Sequence, residues 1–329
     1  NMKVPIQILT YPEEELMGIN NTTQLCYADS LLQDRIKSCH IKNGVRILSP
    51  NSVYISSKVN IGKDVIIEPN VFLGKNVNIK CESIKLGEFC IIGDNVTIEC
   101  RNFEAHSWLF MWHGVEVGRG GCNGPNSNVK IGKGVGIFEN TVINPSESVE
   151  IGDNCGIGAD VMIWTHGAWL DITQGFPSDF GPVKIGDNVW LPARSIVLPN
   201  VTIGNDVVIG TNSLVNRSLP SGCLAAGLPC KVIKENQYPK KLSEEELKTM
   251  IEAILSDWKI LCDTKGITRS IKFKYENGKI YLYQSNFETI YSIDNRKIEG
   301  YTNDVSEDLR DYLRRRGIKI YTDRFFKSI

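Results

Sequence analysis

The chain has 329 residues, 42% of them hydrophobic, enough for about two domains with buried cores. Its 37 basic and 38 acidic residues nearly cancel, which argues against a nucleic-acid or anionic-membrane surface as its main task. No run approaches the roughly 18 consecutive apolar residues of a spanning helix, so no membrane span is expected.

Residues 1–45 show no periodicity and read as a poorly determined N-terminal segment. Their start, Asn1-Met2-Lys3-Val4-Pro5, carries no charged-then-apolar leader. The 10 cysteines are scattered, and none forms a C-x-x-C pair. They read as reduced, small hydrophobic residues of a cytoplasmic protein rather than disulfides or zinc ligands.

From Ile55 the chain falls into blocks of six: ISSKVN, IGKDVI, IEPNVF, LGKNVN, IKCESI. An aliphatic residue leads each block at Ile55, Ile61, Ile67, Leu73 and Ile79. After a one-residue slip the pattern resumes at Leu86, Ile92 and Ile98, then at Ile131, Ile151 and Ile157. Its longest clean run begins at Ile185, and about nineteen hexads can be counted in all. No helix has this period. The leading aliphatic is expected to point inward, and the Gly, Asn and Asp that follow to make a turn needing a permissive backbone. The fifth residue packs into the corner, a place that Cys90 and Cys155 occupy. Short strands between such turns stack coil on coil at the usual sheet spacing, giving a mainly β fold.

Two stretches break the pattern, near 101–129 and 164–183. The first holds Trp108-Leu109-Phe110-Met111-Trp112-His113, then a Gly-rich run. Its aromatics could floor a sugar pocket or cover the coil walls. Beyond the repeat, Ser243 and Glu246 form a capping box, and an apolar stripe follows from Leu247 to Leu261. IKFKY and KIYLY flank Glu276-Asn277-Gly278 as a hairpin. A second helix then ends on Arg314-Arg315-Arg316, and IKIYT closes with a strand. That arginine run reads as a solvated helix end or as an anion site. The expected organisation is an N-terminal segment 1–45, a repeat domain 46–237 and a small α+β appendage 238–329.

Of four histidines, His166 opens the second break directly after the strand Val161–Trp164. A loop histidine leaving a β-scaffold can serve as a general base, or can pack half-buried against Trp164 or Trp169. Asp171 could orient its imidazole or be an ordinary loop carboxylate. Asn140 and Asn144 precede it by about one coil and could reach an acceptor, or simply be turn residues.

The aliphatic-Gly hexad resembles the left-handed parallel β-helix of hexapeptide-repeat acyltransferases, in which three hexads make one triangular coil. About six coils are then expected. Residues 185–234 are similar to the closing coils of galactoside, maltose and nodulation-type O-acetyltransferases. This resemblance implies acetyl-CoA as acyl donor, a homotrimer with active sites between subunits, and no metal. It implies that His166, in the pair Thr165-His166, deprotonates the acceptor hydroxyl. It places Trp190 at the thioester end of the donor groove, Ala193 and Thr211 along the pantetheine, and Asn216 and Arg217 at the nucleotide end. Two departures stand out: Arg217 replaces a lysine but keeps the cation, and Leu191-Pro192 replaces Ile-Gly and removes one amide. Asn140, Asn144, Trp164 and Asp171 are the acceptor-side candidates.

The implied function is O-acetylation of a small-molecule or oligosaccharide hydroxyl by direct transfer. The alternatives are an amino-sugar N-acetyltransferase, a γ-carbonic-anhydrase-like metalloenzyme and a non-catalytic trimeric binding module. The metalloenzyme needs an H-x-x-x-x-H pair, and the sequence has none.

Overall fold

A computed structural model describes residues 10, 12, 16–267, 271–284 and 287–329. The chain divides into two compact units, Asn1–Pro239 and Lys240–Ile329.

The first unit is a parallel β-solenoid with three faces. The first face stacks nine parallel strands from Tyr54–Ile55 to Leu224–Gly227, and Cys230–Lys234 closes the 10-stranded sheet antiparallel. The second face runs from Asn60–Ile61 through Glu116–Val117, Val142–Asn144 and Met162–Trp164 to Leu214–Val215. The third runs from Arg46–Ile47 through Asn128–Ile131, Val149–Ile151 and Val183–Ile185 to Thr202–Ile203. Two long strands, Asn78–Leu86 and Thr97–Ala105, bend through the corner between the second and third faces and join them into one 14-stranded sheet.

Nine coils replace the six expected from counting hexads. The extra coils come from stretches without the Gly-Asn signature that still place an apolar side chain inward at the right period. Met111 is the clearest case, buried in the same inward row as Ile92 and Ile137. The aromatic stretch therefore does not leave the solenoid. Phe110–Met111 and Glu116–Val117 are strands of the first and second faces, and Trp108 stacks on Phe89 at 4.4 Å along a corner. The true departure is the shorter segment 118–127.

The hexad glycines also have a different job from the turn role expected of them. The residue with positive φ is an Asn or Asp in most turns, such as Asn154 at 56° and Asn188 at 56°, with Phe89, Trp108, Arg194, Gly114 and Gly134 in others. Gly152 instead lets the coils approach. A Cβ there would lie 2.3 Å from Asp187 Oδ1 and 2.7 Å from the Gly186 carbonyl carbon.

The N-terminal segment is ordered where it meets the first coil. Helix α1, Thr22–Lys42, turns Gln33 onto the open edge of the first face. The Gln33 amide accepts from Ile55 N–H and donates to Ile55 C=O, at 3.1 and 3.0 Å, as a further strand would. The helix was invisible to periodicity because it has no continuous apolar stripe.

In the second unit, helix α2, Glu244–Thr264, starts on the Ser243–Glu246 capping box. Strands Ile271–Glu276, Lys279–Gln284, Phe287–Ser292 and Lys297–Gly300 form an antiparallel sheet, followed by helix α3, Asp304–Arg314. The expected closing strand IKIYT is not a strand of the sheet. Its Ile320 carbonyl, with those of Arg324 and Phe325, accepts from the buried guanidinium of Arg310. Arg314 and Arg315 fork onto the two oxygens of Asp311, and Arg316 reaches Tyr312, so the arginine run is spent within its own helix.

Candidate active site

Both breaks in the repeat leave the solenoid at one place, the corner between the second and third faces. Residues 118–127 follow the second-face strand Glu116–Val117, and 165–182 follow Met162–Trp164. The second departure is a β-hairpin, His166–Ala168 paired antiparallel with Ser178–Phe180.

Asn144 ends the second-face strand between these departures and is fully buried. Its Nδ2 donates to three carbonyls of the Gly-rich segment, Gly118 at 3.0 Å, Arg119 at 2.9 Å and Gly120 at 3.2 Å. Three acceptors around one group leave no doubt which end of the amide carries the hydrogens. Asn144 Oδ1 is thereby turned to Nδ1 of His166, 2.8 Å away. That oxygen also accepts from Ser146 N–H at 3.2 Å.

The neighbouring pair locks the same corner. Thr165 Oγ1 donates to Asn144 C=O at 2.8 Å and accepts from Glu147 N–H at 2.9 Å. Gly181 N–H donates to Thr165 C=O at 3.0 Å, which closes the neck of the hairpin. The half-buried imidazole lies against the Phe180 ring at 5.6 Å, and the Trp164 ring meets it edge-on at 6.3 Å.

Because Asn144 Oδ1 can only accept, it holds the proton of neutral His166 on Nδ1 and leaves the lone pair on Nε2. This is the tautomer that a base acting through Nε2 requires.

The other sequence candidates are dispersed. Asn140 sits on a turn between the first and second faces, with φ of 56° and a 3.4 Å bond to Asp160, so it is a turn residue away from His166. Asn144 is too enclosed to meet an acceptor and acts on the imidazole instead. Asp171 does not orient His166. It caps the short turn Ile172–Gln174, and its bonds from the Thr173 hydroxyl and N–H hold its carboxyl below the usual range.

Trp190 stands outward on the first face, 42% exposed, over Gly156, where a Cβ would lie 2.5 Å from the indole. Ala193 and Thr211 occupy successive turns at the corner between the first and second faces, and neither N–H is used in the coil-to-coil ladder. Asn216 and Arg217 are exposed at the second corner, the one that carries His166. Among the described residues no group of three or more His, Cys, Asp or Glu is placed to hold a metal ion. Nor is any helix among them long and apolar enough to cross a membrane.

The partners of Asn144 and the ring of Phe180 escaped sequence reading. The one visible trace was the run Gly118-Arg119-Gly120-Gly121 after a strand, whose backbone turns its carbonyls inward.

Comparison with known proteins places the repeat. The model for the bacterial transferase hexapeptide (six repeats) matches residues 182–217, and that for the hexapeptide repeat of succinyl-transferase matches residues 64–100. Both matches fall on stacked coils of the solenoid. The chain belongs to the hexapeptide-repeat transferase family.

It is 30% identical over 257 residues to the bifunctional protein GlmU of Clostridioides difficile, covering 71% of this chain and 52% of that one. It is 28% identical over 246 residues to GlmU of Latilactobacillus sakei, covering 69% of this chain and 50% of that one. The chain thus spans about half the length of the curated relatives it matches. Among solved structures, it is 31% identical to a maltose O-acetyltransferase from Clostridium difficile, over 39% of this chain and 66% of that one, with a TM-score of 0.34. It is 30% identical to a galactoside acetyltransferase solved with coenzyme A, over 40% of this chain and 69% of that one, again with a TM-score of 0.34.

Proposed function

We propose that this family member is an acetyl-CoA-dependent O-acetyltransferase acting on a sugar or saccharide hydroxyl, with His166 as general base. The observation that carries the reading is the Asn144–His166 bond of 2.8 Å, with the amide clamped by three carbonyls. A histidine that merely fills a loop does not need a buried asparagine to set its tautomer.

An alcohol is a poor nucleophile until a base removes its proton. His166 Nε2 takes that proton as the hydroxyl oxygen attacks the acetyl carbonyl. The imidazolium then shares its Nδ1 proton with Asn144 Oδ1 and returns the other to the sulfur as the thioester C–S bond breaks. Acetyl-CoA supplies the activated acyl group, and transfer is direct, without an acyl-enzyme.

Trp190 on the first face, Ala193 and Thr211 at the corner between the first and second faces, and Arg217 at the corner of His166 fit a donor arm. Ala193 and Thr211 offer N–H groups outside the ladder, Trp190 offers a flat apolar surface, and Arg217 is a free-standing cation for phosphate. Ala193 and Thr211 lie at a different corner from His166, across the second face. A site assembled between copies of the chain unites the two corners, and a homotrimer is the family's way of doing so. The exposed apolar tip of the hairpin, Trp169 at 95% with Leu170 and Ile172, supports burial against another copy.

The test is acetyl transfer from acetyl-CoA to a panel of sugars, followed as release of the CoA thiol. His166→Ala is expected to lower kcat at least about 100-fold on hydroxyl acceptors. Transfer to amines that is faster and indifferent to His166→Ala would favour the N-acetyltransferase reading. No transfer to any acceptor by the intact chain would sink both.

A further inference from the structure

The outward side chains of the third face form two rows in register along the solenoid. Ser83, Asn102, Asn128 and Ser148 make one, a residue per coil. Lys85, Glu104, Lys130 and Glu150 make the other, two positions further along the same strands. Together they floor a groove of about 480 Å³. At one sheet spacing per coil, the three steps between the four coils cover about 14 Å.

The charges of the second row alternate in sign from coil to coil. Lys85 lies 3.9 Å from Glu104, and Glu150 lies 3.6 Å from Lys184 on the next coil. The groove is therefore dense in hydrogen-bond donors and acceptors while its charges neutralise one another. A polyanion would meet Glu104 and Glu150 along its length, and a polycation would meet the lysines. An apolar chain would strip water from paired charges without replacing its hydrogen bonds. A chain of hydroxyls, each able to donate and accept, can join the Asn102–Asn128 amide pair, bonded Nδ2 to Oδ1 at 2.7 Å, and the charged heads of the second row.

The end of the groove is bonded to both departures that frame the candidate base. Ser148 Oγ donates to Asn126 C=O at 2.9 Å, tying the first departure to the rim. Val183 N–H donates to Ser148 C=O at 3.0 Å, so the hairpin that begins at His166 rejoins the solenoid at the groove's end. Next to Ser148, Glu147 N–H donates to Thr165 Oγ1, one residue from His166.

We propose that the third-face groove is an acceptor track that holds an uncharged oligosaccharide along the solenoid axis and presents one of its hydroxyls at His166. The proposal rests on the acyltransferase reading of His166 and adds the substrate class, an extended neutral glycan rather than a single sugar. The track contributes binding along its floor, so its residues act on KM and acceptor length and leave the proton transfer alone.

The experiment uses the full chain with uncharged oligosaccharides of one to six residues. Binding is read by saturation-transfer NMR, and acetylation by release of the CoA thiol. Wild type is expected to show kcat/KM rising at least about tenfold from one residue to four. Asn102→Ala with Lys130→Ala is expected to abolish that rise, with turnover of the single sugar unchanged. His166→Ala is expected to keep the glycan binding and lose the transfer. Length-independent kcat/KM, a preference for charged oligosaccharides, or equal damage to short and long acceptors would overturn the track and leave the acyltransferase reading intact. A change of oligomeric state in the double variant, measured by light scattering, would also overturn it, since the face would then be an interface between copies. Glycan binding that depends on Asn102 and Lys130 without any acetyl transfer would uphold the track as a binding site and overturn its coupling to His166.

Discussion

Asn144 Oδ1 faces His166 Nδ1 at 2.8 Å, and the asparagine can face no other way, because three backbone carbonyls occupy the far side of its amide. The relationship joins the two departures of the solenoid, since the carbonyls belong to the first and the histidine to the second. Removing the amide should therefore disturb both. Asn144→Ala is expected to cut kcat about 100-fold with little change in KM for the acyl donor. It should also shift His166 from a single Nδ1–H tautomer to a mixture, visible in its ring 15N resonances. Unchanged tautomer and unchanged kcat would show that Asn144 serves only the loop.

The same substitution leaves the carbonyls of Gly118, Arg119 and Gly120 without their donor. Each buried, unpaired group costs about 1–3 kcal/mol unless water replaces the amide. A lowered melting temperature is expected for Asn144→Ala and not for His166→Ala. Calorimetry on the two variants separates the positioning role from the stabilising one.

Coil-to-coil glycines should be intolerant for a steric reason. Gly152→Ala would drive a methyl group to within 2.3 Å of Asp187 Oδ1 and into the Gly186 backbone. A loss of about 1–3 kcal/mol is expected, measured by thermal or denaturant unfolding. Gly120→Ala is the control, because a Cβ there meets nothing within 4 Å.

Thiol reactivity should follow burial. Burial pushes the Cys90 thiol up to about 12 and Cys122 up to about 11. Cys81 is lowered, chiefly by its contact with Cys100 at 3.7 Å, while that contact and burial raise Cys100. Alkylation at mildly alkaline pH is expected first at Cys81 and at the exposed Cys26 and Cys39, with Cys90 and Cys155 last. Peptide mapping after a timed iodoacetamide pulse reads the order.

The second unit should be acid-sensitive through Asp308. Burial opposes its ionisation, but the Lys265 ammonium at 2.5 Å, the Ile329 N–H and the Trp258 indole outweigh that and lower its pKa. A carboxylate lowered in the folded state adds stability above its unfolded pKa, about 3.9, and loses it as pH falls through the folded value. Unfolding of this unit should become easier below about pH 4, and Asp308→Asn should flatten that acid limb at a lower plateau of stability. An acid limb unchanged by the substitution would assign the effect to other carboxylates.

What the residues determined by themselves was the periodic part. An inward aliphatic every six residues dictates a solenoid whatever else surrounds it, because each such side chain gains its burial from its own coil and its two neighbours. The capping box at Ser243 and the Asn277-Gly278 hairpin are local in the same sense, and they stand where the pattern put them. His166 could be picked out because it opens a break in that period.

Tertiary structure decided everything that joins coils separated by a departure. Gly118 and Asn144 lie 26 positions apart, and Asn144 and His166 lie 22 apart. A loop of arbitrary length between two coils hides which turn stacks on which. Only the stacking register shows that both departures leave one corner, and that Asn144 lies between them. The same register set Met111 in the core although its neighbours are aromatic, and it gave leading-hexad glycines such as Gly152 a contact to relieve rather than a turn to make. Sequence spacing measures distance along a coil. The chemistry of this site runs across coils, where neighbours are set by sheet hydrogen bonds and not by position in the chain.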